Sequence, residues 1–119
     1  MKVYVAHSSS FDYLNELYLP LRKSELNTKH ELFLPHDAGK NVHSKEAIKT
    51  SDAVVAEVSY PSTGEGIELG WADSFSIPIY CLHKEGAEPS KSLTAVAKKI
   101  VPYSDQADLL VQIEALLVD

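Results

Sequence analysis

Cysteine is nearly absent: Cys81 is the only one, set in an apolar run, so no disulfide can close within the chain and a reducing cytoplasm is the expected compartment. No apolar run approaches the roughly 18 residues of a membrane span. The N-terminal stretch Met1–Ala6 meets Ser8-Ser9-Ser10 before it can form the core of a secretion signal, which needs roughly seven or more apolar residues. Positive charge is also scarce. Eleven basic residues stand against 17 acidic ones, a net charge of −6, which leaves no cationic face to neutralise a nucleic acid polymer. Internal repeats, low-complexity tracts and Gly/Ser linkers are missing, so a single domain over 1–119 is expected. No metal is expected, because His36, Asp37 and His43 are ligand types whose spacing matches no ligand motif. No cofactor is expected either, since the G-x-G-x-x-G fingerprint and the P-loop Lys are both absent.

What remains is a chain of 119 residues, 45% hydrophobic, long enough to bury roughly two-thirds of its unfolded surface without a metal or disulfide staple. Short β-like runs alternate with helix-like stretches. Val3–Ala6, Leu32–Leu34, Ala53–Ala56, Ile77–Leu82 and Ile100-Val101 read as strands. Phe11, Leu14, Leu17, Tyr18 and Leu21 recur at helical spacing, with Pro20 kinking or dividing that helix. Further helices are predicted over about His43–Thr50, from Ser62 to about Phe75, around Ser92–Lys98, and after Ser104 as N-cap, with Leu109, Leu110, Ile113, Leu116 and Leu117 on one stripe. Alternating elements with near-continuous apolar strands predict a doubly wound α/β domain of flavodoxin- or Rossmann-like type, with a five-stranded parallel sheet. In such sheets ligands sit at the carboxyl ends of the strands, near the point where strand order reverses. That directs attention to the loops after Ala6, Leu34 and Val58.

The third of these loops, Ser59-Tyr60-Pro61-Ser62-Thr63-Gly64-Glu65-Gly66-Ile67-Glu68-Leu69-Gly70, is the most informative. Gly64 and Gly66 let backbone approach a ligand closely, and the free N–H groups of the following helix point into the same space, which suits an anionic or electron-rich group. Glu68 lies near the first turn, where the helix start should hold its carboxylate ionised. A plainer reading is also open: Ser62 and Glu65 form a capping box, and Glu68 is ordinary first-turn charge. Asp52 reads as a strand-start anchor and Glu57 as a pocket-edge or hydrogen-bonded structural carboxylate.

The segment from Asp52 to Gly70, with Ile77-Pro78-Ile79 after it, resembles the signature of the nucleoside 2-deoxyribosyltransferase family, especially its 2'-deoxynucleoside 5'-phosphate N-hydrolase branch. The resemblance implies a small-molecule nucleoside or nucleotide partner and an N-glycosidase or transferase activity. Glu68 would attack the anomeric carbon and form a glycosyl-enzyme ester, resolved by water or by a second base. Ser62 stands where the transferases carry Asp and where the phosphate hydrolases carry Ser, so it implies a 5'-monophosphate. The resemblance makes Ser59, Gly64 and Gly66 further contacts from this loop and places His36 at the pocket. It also brings an aromatic residue, Tyr13, towards the sugar. A hydroxyl borrowed from a partner subunit corresponds to Thr94 or Ser92, which implies a homodimer or higher homo-oligomer; simple helix capping is the alternative for both.

Two positions depart from the family pattern. Ser44 occupies the place of the base-protonating Asp, leaving His43 and Glu46 as flanking substitutes. The first loop, Ala6-His7-Ser8-Ser9-Ser10, lacks the family's Gly and Arg, so Ala6, His7, Ser8 and Ser10 would contact sugar and phosphate through hydroxyl and backbone groups. These departures keep two other readings open: a non-catalytic module that binds or senses a nucleotide or nucleoside derivative, and a structural domain in which the Gly-rich turn is only a helix cap.

Overall fold

A computed structural model describes residues 1–37 and 43–118. Strand β1 (Lys2–His7) is buried from Val3 onward, and its alternation sends Val3 and Val5 to one side of the sheet and Tyr4 and Ala6 to the other. With β2 (Glu31–Phe33), β3 (Ala53–Glu57), β4 (Ile79–Lys84) and β5 (Lys99–Tyr103) it forms a five-stranded parallel sheet in the order β2-β1-β3-β4-β5. This is the doubly wound arrangement that the alternation of elements predicts. One core packs α1 (Leu19–Lys23), α2 (Leu26–Lys29) and α5 (Gln106–Leu116) through Leu21, Leu26, Leu109 and Ile113 against Val3, Val5 and Val55. The opposite core packs α3 (Ser44–Lys49) and α4 (Thr63–Ser74) through Ile48, Leu69 and Ala72 against Tyr4, Val54 and Ala56.

The chain leaves β1 towards β2 on one side and returns to β3 on the other, so strand order reverses between β1 and β3. Their register, from Val3 opposite Ala53 to His7 opposite Glu57, brings the ends of both strands to one crevice. Asp52 anchors the start of this pair by accepting the Lys2 N–H at 2.8 Å.

Several boundaries differ from the sequence reading. Leu14–Tyr18 winds wider than an α-helix, with the Leu19 N–H bonded to the Leu14 carbonyl, and runs directly into α1, where Pro20 has no N–H to give to the turn before it and the Asn15 carbonyl in that turn accepts Gln106 Nε2 at 3.3 Å. The fourth strand begins at Ile79, not Ile77; Pro78 precedes it and accepts the Val54 N–H through its carbonyl at 2.9 Å. The stretch after Ser90 makes only a short 3₁₀ turn, Lys91–Ala95. The last helix is capped by Asp105, whose carboxylate accepts the Asp108 N–H at 2.8 Å, while Ser104 donates its own N–H to the Asp108 carboxylate.

Candidate active site

A cleft of about 580 Å³ opens at the β1/β3 crossover, walled by the loops after β1, β2 and β3 and by the start of α3. Its far wall is the first turns of α4. Ser62 caps that helix with extended backbone, φ −151°, and its Oγ accepts the Glu65 N–H at 3.3 Å. The capping box is only half built. Glu65 does not return a bond to Ser62 but turns inward, where it is 4% exposed and its Oε2 is sealed from solvent with no hydrogen-bond partner among the described residues. Burial, reinforced by the charges of Glu57 and Glu68, pushes the Glu65 carboxyl up to about 9, so it holds its proton at neutral pH.

Glu68 lies one turn further along α4. The Tyr4 phenol donates to its Oε2, and the Ser44 hydroxyl also hydrogen-bonds to the carboxylate. Burial pushes the Glu68 carboxyl upward, opposed by those two hydrogen bonds and by nearby His36. Burial thus works against the ionised form expected at the start of the helix, and the two hydroxyl donors work for it. Tyr4 is itself held above the ordinary phenol range, first by burial and then by its bond to Glu68, and so remains a donor.

On the opposite wall stands a group of stacked rings. His7 faces the Ser8 carbonyl through Nδ1 at 3.0 Å, a position that requires the proton on that nitrogen, so Nε2 accepts from the Tyr18 hydroxyl at 2.7 Å. The Tyr18 hydroxyl in turn accepts the His36 N–H at 3.1 Å. Burial lowers the His7 pKa, which favours the neutral ring this network needs. His7, Tyr13 and His36 have ring centroids 4.4 to 5.0 Å apart.

Of the residues singled out from sequence, His7, His36, His43, Ser44, Ser62, Gly64 and Glu68 line this cleft. Others lie elsewhere. Ala6 is wholly buried in β1, and Ser8 is buried with its Oγ accepting the N–H of exposed Ser10. Tyr13 packs behind His7 instead of lining the cleft. Glu46 is exposed on α3, away from the cleft lining. The Ser59 hydroxyl donates to Glu57 and accepts the Lys84 N–H, both at 2.8 Å, and Ser59 is not among the residues lining this cleft. Gly66 and Ser92 line a second cavity, of about 420 Å³, and exposed Thr94 bonds back to the Lys91 carbonyl within its own turn. Among the described residues no three His, Cys, Asp or Glu side chains gather as a metal site, and no helix is long and apolar enough to cross a membrane. Sequence reasoning missed Tyr4, Glu65 and Trp71. The signal for Tyr4 was available, since a phenol inside a buried strand must find a partner for its hydroxyl.

Fold and site together define a doubly wound α/β protein with a carboxylate-bearing cleft at its crossover. No protein-family profile matches the chain. A Syntrophotalea carbinolica protein assigned to the 2'-deoxynucleoside 5'-phosphate N-hydrolases is 38% identical over 73 residues, 58% of this chain and 51% of that protein. The 5-hydroxymethyl-dUMP N-hydrolase of Branchiostoma floridae is 34% identical over 77 residues, 61% of this chain and 71% of that protein. The chain spans about half the length of several curated relatives it matches. Among solved structures, the CMP N-glycosidase BcmB of Clostridium botulinum superposes with a TM-score of 0.66 over 96% of this chain and 99% of that one, at 24% identity. The 2-deoxyribosyltransferase of Bacillus psychrosaccharolyticus gives 0.65 over 92% and 90%, at 20% identity. The chain belongs to the nucleoside 2-deoxyribosyltransferase family, on the side of its 2'-deoxynucleoside 5'-phosphate N-hydrolases.

Proposed function

We propose that this protein breaks the N-glycosidic bond of a 2'-deoxynucleoside or its 5'-monophosphate, with Glu68 as nucleophile, and passes the sugar to water or to a second base. The observation that carries this reading is the Glu68 carboxylate in the crossover cleft, aimed by the Tyr4 phenol and the Ser44 hydroxyl. A carboxylate partly stripped of water and held by two donors is pre-positioned to attack C1' as positive charge builds on the sugar. Two bonds change in the first step: C1'–N breaks towards the base and C1'–Oε forms. In the second step a water oxygen replaces Oε and frees the carboxylate.

The start of α4 supports the 5'-monophosphate. Ser62 offers a neutral hydroxyl beside Gly64 and the unpaired helix N–H groups, where a carboxylate would repel phosphate. The names of the relatives, which act on nucleoside 5'-phosphates, support the same choice. Ser92 and Thr94, on the turn before β5, are the hydroxyls a second copy of the chain would lend to a neighbouring site. Chromatography of 2'-deoxynucleosides and their 5'-monophosphates after incubation with the protein tests the reading. Free base should appear with wild type, and Glu68→Ala should release it at least about 10³-fold more slowly. Base release by Glu68→Ala at the wild-type rate, or saturable binding with no product from any substrate, would overturn it.

A further inference from the structure

We propose that Glu65 is the proton donor of this cleft, giving its proton to the departing base while Glu68 attacks the sugar. The inference rests on the function proposed above and adds to it the acid that the reaction requires. It begins with placement. Glu65 and Glu68 are three residues apart on α4 and both line the cleft. Residues at that spacing on one helix face have Cβ atoms about 5–6 Å apart, so both side chains are presented to the same cleft.

The surroundings of the two carboxyls then separate their roles. Glu68 receives the Tyr4 and Ser44 hydroxyls. The Glu65 Oε2 is buried with no partner among the described residues. The ionisable groups facing it are Glu57 at the end of β3, Cys81 in β4 and Glu68 on its own helix, while His7, His36, His43 and Lys45 stand around the cleft. Two carboxylates beside it oppose its ionisation, so it stays an acid up to about pH 9. The hydroxyls near Glu68 are far weaker acids, and Tyr4 is held higher still. A buried acid that contributes no hydrogen bond to the fold is what a proton donor looks like before its substrate arrives.

The step balances. The Glu65 O–H proton moves to a ring nitrogen or exocyclic oxygen of the base as the C1'–N electron pair leaves with it, and Glu68 bonds C1'. The Glu65 carboxylate then takes a proton from the water that attacks C1', which restores both groups.

The test pairs two substrates that differ in their need for an acid: 2'-deoxyguanosine 5'-monophosphate and its 7-methyl derivative, whose cationic base leaves without protonation. Glu65→Gln, which copies the shape of the neutral acid, should lower kcat about 10²- to 10³-fold on the first substrate and only about threefold on the second. The fall of wild-type kcat/KM above about pH 9 should vanish in this variant. Glu65→Asp, which retains an acid, should recover part of the loss on the unmethylated substrate. Equal losses on both substrates, or an unchanged rate and alkaline limb, would overturn the role of Glu65 while leaving the N-glycosidase reading in place. Failure of wild type to release base from these or from any other 2'-deoxynucleoside or 5'-monophosphate would overturn both.

Discussion

Glu57 and Glu65 are equally hidden, at 2% and 4% exposure, yet they live in opposite surroundings. Glu57 closes β3 and takes three donors: the Ser59 N–H at 2.7 Å, the Ser59 hydroxyl at 2.8 Å and the Tyr103 phenol. Through Ser59 the arrangement reaches the Lys84 N–H, so one carboxylate ties the ends of β3, β4 and β5 together. Glu65, in the first turn of α4, has no donor at Oε2 among the described residues. The difference separates two uses of a buried acid. Hydrogen bonds that saturate a carboxylate make it a fixture of the fold, whereas leaving one unsaturated keeps a proton on it and makes it available for chemistry.

The sharpest way to break the comparison is Glu57→Ala. It would strand the Ser59 N–H, the Ser59 hydroxyl and the Tyr103 hydroxyl in a buried place, at a cost of about 3–5 kcal/mol. Urea denaturation should show this as a lower midpoint with unchanged slope. A variant as stable as wild type would mean that the three donors find water and that Glu57 is no fixture.

The same contrast explains what could be read from the sequence. Ala53–Ala56 is apolar on both faces, so a central parallel strand was legible, and with it the crossover where the cleft opens. Ser62 as cap followed from local spacing, and Glu68 as the functional carboxylate from the resemblance of its loop to the family signature. The partners of the acids did not. Tyr4 reaches Glu68 across 64 residues of sequence, a contact that only the packing of β1 against α4 creates. Ser62-x-x-Glu65 is compatible both with a closed capping box and with a Glu turned inward, and nothing local decides between them. Ser59 resembles every other hydroxyl of its loop until the sheet brings Glu57 and Lys84 to it. Ser104 and Asp105 are both good caps, and the choice moved the helix start by one residue.

Glu65 itself provides the second test, because its raised pKa makes stability depend on pH. Between about pH 4.5, the ordinary value, and about 9, the folded protein holds a proton that the unfolded chain has lost. This group's contribution is therefore fully present below the lower value and drains away as pH rises towards the upper one, by about 3 kcal/mol at pH 7. Glu65→Gln removes that dependence. It should melt several degrees above wild type at pH 8, with the gap narrowing to nothing near pH 4.5. A gap that does not change with pH would show that Glu65 is ionised in the folded state.

Tyr4→Phe makes the smallest change and addresses the anion rather than the acid. The phenol of Tyr4 donates to Glu68 and lowers its pKa against the upward push of burial. Removing that hydroxyl costs about 1.5–3 kcal/mol of charge-assisted bonding, read as roughly 10- to 100-fold in kcat. With one donor gone, Glu68 takes up a proton more readily, so the acid limb of the pH–rate profile should move to higher pH while the alkaline limb, set by Glu65, stays in place. Movement of the alkaline limb instead would mean that the two carboxyls titrate as one coupled pair, and that the division into anion and acid belongs to the pair and not to either residue.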